Sequence, residues 1–129
     1  MTAARTVLIV EDNPRNLRLV RDVLAHAGYR TLEAGTAEDG LALARAEAPD
    51  AVLMDIQLPG IDGVEALRRL RADTSTAAIP VIALTAFAMK DDRDRFHAAG
   101  FDAYVEKPVD IRALPGQVAA VLRPAGARP

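Results

Sequence analysis

The chain has 129 residues, half of them hydrophobic, with a formal net charge of −2 and no cysteine. That length suits one domain with a real core, and the absence of thiols excludes disulfides, thiol catalysis and cysteine-based zinc sites. The weak acidity gives no electrostatic reason to bind nucleic acid or a membrane surface. Met1–Thr6 is too short and polar for a signal peptide, and no apolar run approaches the length of a membrane span, so the cytoplasm is the expected compartment.

The first predicted strand is Thr6–Val10, whose unbroken apolar run from Val7 suits burial on both faces. Asn13 then caps a helix with Pro14 in its first turn; Leu17, Val20, Leu24 and Ala27 line one face, and Gly28 ends it. Tyr29–Ala34 follows as a strand, and Thr36 caps a second helix that stops before Pro49. Ala51–Met54 is another unbroken apolar strand. Asp62 and Glu65 have capping-box spacing at the start of a third helix, which is expected to present Val64, Leu67 and Leu70 inward. Pro80–Leu84 is the fourth strand, and the helix after it runs to about Ala99 and stops at Gly100. Phe87 and Met89 fall at its start, where core packing is their expected role, whereas Asp91–Arg95 reads as an exposed stretch. Ala103–Glu106 is the fifth strand. The last helix begins near Asp110 and reaches about Leu122; Pro115 inside it costs a backbone bond unless the regular helix starts there. His26 and His97 have no ligand partners in the pattern and read as surface or boundary residues. Strand–helix alternation repeated in this way implies right-handed crossovers and a three-layer α/β sandwich. One domain over residues 1–123 and a disordered tail over 124–129 are expected.

In open α/β sheets ligands bind beyond the carboxyl ends of the strands. The residues at those ends are Glu11 and Asp12 after Val10, Asp55 after Met54, Thr85 after Leu84, and Lys107 with Pro108 after Glu106. Three carboxylates brought together repel one another unless a cation sits between them. Oxygen donors without His or Cys favour a hard ion, and so few protein ligands favour magnesium over calcium. A carboxylate beside magnesium and an ammonium is a place to form an acyl phosphate: the two cations would neutralise the incoming oxygens, and Thr85 would hydrogen-bond one of them. Taken singly, each residue has a plainer reading. Glu11 and Asp12 suit a helix cap, Asp55 a strand-end turn, Thr85 a strand and Lys107 a solvated surface. Of the 16 Lys and Arg residues only Lys90 and Lys107 are Lys, and that retention favours a function for Lys107.

The runs Val7-Leu8-Ile9-Val10-Glu11-Asp12-Asn13, Leu53 through Gly63, Ala83-Leu84-Thr85-Ala86 and Lys107-Pro108 together resemble the receiver domains of bacterial two-component response regulators, over about residues 5–123. The run Thr85–Lys90 is further similar to single-domain members that act in cell-cycle control. The resemblance implies a flavodoxin-like fold with a five-stranded parallel sheet in the order 2-1-3-4-5 and five helices. It also implies a role for each matching residue. Asp55 is the phosphoacceptor. Glu11 and Asp12, with Asp55 and the main-chain carbonyl of Gln57, hold magnesium, for which manganese substitutes. Thr85 moves toward the phosphoryl group, Lys107 pairs with that group and is joined to Pro108 by a cis bond, and Tyr104 swings inward when Thr85 moves. Ile61 stands where Met is more usual, and Pro115 departs from the pattern in a helix that usually belongs to the partner-binding face.

The donor implied is a phosphohistidine on a sensor kinase or phosphotransfer protein. The output implied is protein–protein contact through the fourth helix, fifth strand and fifth helix, with cell-cycle or polarity control as the expected process and a monomer as the expected state. Two other readings stand beside this one. An aspartyl-phosphate phosphatase usually needs a second Asp two residues after the nucleophile, where this chain has Gln57, and a pseudo-receiver adaptor would have lost a site residue, which this chain has not.

Overall fold

Successive side chains of a strand point to opposite faces, and in β1 (Thr6–Val10) both faces are buried: Val7 and Ile9 join one apolar cluster, Leu8 and Val10 another. This computed structural model describes residues 4–58, 60–86 and 89–122. β1 is followed by α1 (Pro14–His26), β2 (Arg30–Ala34), α2 (Ala37–Glu47), β3 (Ala51–Asp55), α3 (Gly63–Ala72), β4 (Val81–Thr85), α4 (Lys90–Ala99), β5 (Ala103–Glu106) and α5 (Leu114–Val121). All strand pairs are parallel and the sheet order is β2-β1-β3-β4-β5. The first cluster packs Val20 and Leu24 of α1 and Leu114 and Val118 of α5 against one face; the second packs Leu41, Leu67, Leu70 and Phe96 against the other. The sequence-based fold class is therefore the one observed.

Helix starts follow the predicted caps. Asn13 accepts from the main-chain N–H of Arg15 and Asn16, Thr36 from that of Asp39, and Asp62 from that of Glu65. The capping box at α3 is half formed, because the Glu65 carboxylate pairs with Arg68 at 2.7 Å and Arg69 at 3.4 Å. Val64 does not point inward as expected: it is 39% exposed, and Gly63, Ala66, Leu67 and Leu70 make the buried face. Ala27 likewise lies just past α1 and is exposed, so Val20 and Leu24 carry that helix's burial. Met89 is 75% exposed at the N-cap of α4 rather than packed in the core. Phe87, Pro59 and the tail after Leu122 lie outside the described residues.

The last helix corrects the expected start near Asp110. There Asp110 caps a turn, its carboxylate accepting from the N–H of Arg112 and Ala113, and α5 begins only at Leu114. Pro115 is then in the first helical turn, where its missing N–H would lack an intrahelical partner anyway, and it costs nothing there. Gly116 has nothing within 4 Å of an added Cβ. Gly116→Ala is expected to raise stability by about 0.5–1 kcal/mol, the helix-propensity difference, read as a higher urea midpoint with unchanged slope.

At the amino-terminal edge of the sheet Arg71 is a structural hub. Its guanidinium donates to the carbonyls of Ala77 and Ile79 at 3.1 and 2.6 Å and to Asp102 Oδ2 at 3.0 Å, and that oxygen also accepts from the N–H of Val81 at 2.8 Å. This ties the approaches to β4 and β5 together and leaves the carboxyl edge for chemistry.

Candidate functional site

Two adjacent central strands, β1 and β3, deliver the acidic groups. Glu11 extends β1 by one rung, its N–H donating to the Ala34 carbonyl at 3.0 Å, and the residue is 1% exposed. Asp12 follows it into solvent. Asp55 is the last residue of β3 and 3% exposed; its Oδ1 accepts from the N–H of Gln57 at 2.9 Å, so the turn after the strand fixes the carboxylate's direction. Glu11, Asp12 and Asp55 each place a carboxylate oxygen within 4.8 Å of the others.

Lys107 reaches into this group from the end of β5. Its N–H donates to the Thr85 carbonyl at 2.7 Å. Its Nζ lies 3.0 Å from Asp55 Oδ2 and 3.3 Å from both oxygens of Glu11. The bond from Lys107 to Pro108 is cis, as expected. Burial alone would push the ammonium down, but hydrogen bonds to and charge from Asp55 and Glu11 more than offset it, and its pKa lies above the ordinary lysine value. Glu11 is pushed up to about 7, first by burial and then by the neighbouring Asp55, against the lowering pull of Asn16 and Lys107. Two buried carboxylates thus share one ammonium, with a third carboxylate at the rim.

Thr85 is the last residue of β4 and 2% exposed. Tyr104 pairs with Ala83 in the β4–β5 register; Thr85, two residues after Ala83, lies on the same sheet face as Tyr104. The structure therefore brings Glu11, Asp12, Asp55 and Lys107 into one cluster, with Thr85 on the neighbouring strand end and Tyr104 one strand further out. Gln57 is exposed beside Asp55, and His26 and His97 are exposed on their helices.

Sequence reasoning missed two supporting residues. Asn16 donates from Nδ2 to Glu11 Oε1 at 2.9 Å, holding a carboxylate five residues earlier; its position one turn after the Asn13 cap, facing back over the strand end, was the available signal. Gly63 begins α3 against the backbone of the phosphoacceptor candidate: an added Cβ would stand 2.7 Å from the Asp55 carbonyl oxygen and 2.9 Å from Ile56 Cα. Its signal was a glycine directly after the Asp62 cap, where any residue would serve the helix but only the smallest permits such an approach.

An oxygen-only donor set of this size, with one ammonium already neutralising part of its charge, fits a hard divalent cation such as magnesium. Residues 7–119 match the family model described as the response regulator receiver domain. The chain is 45% identical over 107 residues to the polar-differentiation response regulator DivK of Brucella ovis, covering 83% of this chain and 87% of that one. Among solved structures, a response regulator described as putative from Chloroflexus aurantiacus aligns with a TM-score of 0.87 at 31% identity, covering 92% of this chain and 98% of that one. The receiver domain of a sensor histidine kinase from Pseudomonas aeruginosa, with magnesium coordinated in its active-site cleft, aligns with a TM-score of 0.84 at 34% identity, covering 92% and 98%. The chain belongs to the response regulator receiver family and is a phosphorelay signalling domain similar to DivK. Family membership implies a histidine kinase or phosphotransfer partner. No helix among the described residues is long and apolar enough to cross a membrane.

Proposed function

We propose that Asp55 accepts a phosphoryl group from a phosphohistidine and that the chain signals this state through protein contacts. The observation that carries the reading is Lys107 Nζ bridging two buried carboxylates, 3.0 Å from Asp55 and 3.3 Å from Glu11, with Asp12 at the rim. An Asp55 carboxylate oxygen attacks phosphorus; the O–P bond forms, the N–P bond breaks, and its electron pair returns to the donor imidazole. Lys107 meets the charge on the transferred oxygens, and the Gln57 N–H keeps the carboxylate aligned. Magnesium, held by Glu11, Asp12 and Asp55 with the Gln57 main-chain carbonyl, would supply further positive charge against those oxygens, and manganese would serve in its place. Hydrolysis ends the phosphorylated state when water attacks phosphorus, the Asp55 O–P bond breaks, the carboxylate is regenerated and inorganic phosphate leaves; on this reading the chain catalyses its own phosphorylation and dephosphorylation.

Phosphorylation adds nearly two negative charges and three acceptor oxygens at Asp55. The Thr85 hydroxyl follows the new acceptors, Tyr104 turns inward behind it, and the face formed by α4, β5 and α5 takes a second arrangement. A protein effector reads that face. Likeness to DivK supports cell-cycle or polarity control as the process. On this reading the chain acts in the cytoplasm as a monomer, with the receiver spanning residues 1–123. Incubation with acetyl phosphate tests the reading: acid-labile phosphate should appear only with magnesium, and borohydride reduction should convert residue 55 to homoserine. Label that forms equally in excess chelator, or that reduces at another residue, overturns it.

Lys107→Arg is expected not to be conservative. The site holds a compact ammonium between two carboxylates, and a planar guanidinium cannot occupy that position with the same contacts. The variant should fold and bind magnesium, while beryllofluoride-induced NMR shifts in α4 and β5 are lost; wild-type shifts there would remove Lys107 from the switch.

A further inference from the structure

Tyr104 is held from outside the sheet by Arg93. Arg93 of α4 donates from Nη1 to the Tyr104 hydroxyl at 3.0 Å, and its guanidinium carbon lies 5.8 Å from the ring centroid. Both residues line a surface cleft of about 430 Å³ between α4 and β5. The hydrogen bond and the cation–ring contact both require the ring to lie over α4. A ring turned inward behind Thr85 would lose both.

We infer that Arg93 is a positioning residue of the switch, a latch that holds Tyr104 outward until phosphorylation draws Thr85 toward Asp55. The inference rests on the proposed role of Tyr104 and adds the residue that sets its resting equilibrium. A contact biases a two-state equilibrium only by favouring one state, and this one favours the outward ring. By linkage, whatever opposes the inward ring also opposes phosphoryl binding, so removing the latch should tighten binding of a phosphoryl mimic. A residue that merely supported the fold would weaken it.

The test uses the full chain labelled with fluorotyrosine, which gives two fluorine NMR reporters, Tyr29 and Tyr104. With magnesium, beryllofluoride should move the wild-type Tyr104 resonance. Arg93→Ala, without beryllofluoride, should already stand part of the way along that path and should bind beryllofluoride about fivefold more tightly. Arg93→Lys keeps a cation near the ring and should fall between. On a Tyr104→Phe background, which lacks the accepting hydroxyl, Arg93→Ala should change beryllofluoride affinity much less. An Arg93→Ala resonance at the wild-type position, a weaker affinity for beryllofluoride, or an undiminished effect on the Tyr104→Phe background overturns the latch. Failure of the underlying reading is separately visible: the wild-type Tyr104 resonance then ignores beryllofluoride, and the latch falls on the wild-type spectrum alone.

Discussion

Asp55→Asn should abolish magnesium-dependent labelling by acetyl phosphate while leaving the chain folded. The substitution is nearly isosteric, and the amide oxygen can still accept from the Gln57 N–H as Asp55 Oδ1 does at 2.9 Å. The group lost is the oxygen 3.0 Å from Lys107 Nζ, whose place an amide nitrogen cannot fill as an acceptor. Lys107 keeps Glu11 as a partner, so no buried ammonium is stranded, and the crowding of like charge that raises Glu11 is relieved. The fold should therefore tolerate a change that removes the proposed nucleophile completely. Labelling would fall by at least two orders of magnitude, read as acid-labile phosphate per chain, with unchanged far-ultraviolet circular dichroism as the control. Robust magnesium-dependent labelling of this variant would assign the chemistry to another residue.

Gly63→Ala should be the most damaging single-methyl change in the described chain. Its added Cβ would meet the Asp55 carbonyl oxygen at 2.7 Å and Ile56 Cα at 2.9 Å, both backbone atoms that no rotamer change can clear. Gly40 offers a contrast, since the crowding there comes from the Val10 side chain. The start of α3 would have to move off the end of β3, breaking the bond from the Gly63 N–H to the Ile56 carbonyl. A loss of about 3 kcal/mol in urea unfolding is expected, at the upper end of overpacking costs. The Asp55 carboxylate would be displaced with its backbone, so labelling should slow by at least about tenfold even where the variant remains folded. Unaltered labelling and stability would mean that α3 can shift freely against β3.

Both variants bear on what the sequence could and could not disclose. The sheet was legible because Val7–Val10, Ala51–Met54 and Val81–Leu84 are apolar without interruption, and only strands buried on both faces require that. The acidic cluster and Lys107 were legible because strand ends in this topology converge on one edge, so adjacency in space followed from position in the chain. Val64 and Met89 went astray for a shared reason. Each was read from its apolar character near a helix start, where the chain has not yet turned fully onto the core and a long apolar residue can remain in solvent. The start of α5 depended on the competition between an Asp110-capped turn and a regular helix, a difference of one turn that hydrophobic periodicity does not resolve. Asn16 and Gly63 were hidden because their roles are contacts across the fold, a side-chain hydrogen bond and a backbone approach, and neither leaves a periodic trace.

The division of labour across the sheet bears on how such a protein can diversify. Glu11, Asp55 and Thr85 stand on β1, β3 and β4, strands flanked on both sides, whereas Tyr104 stands on β5 at the margin and Arg93 on an exposed face of α4. Substitutions on α4 and at the outer edge of β5 touch neither the carboxylates nor their backbone supports, and those away from the Arg93–Tyr104 contact share no partner with them, so they should act nearly independently. If the α4–β5 face is the partner surface we propose, exposed residues there that do not touch Tyr104 can drift, or be re-engineered, while Glu11, Asp55 and Lys107 keep their contacts, so new outputs can be fitted one surface residue at a time.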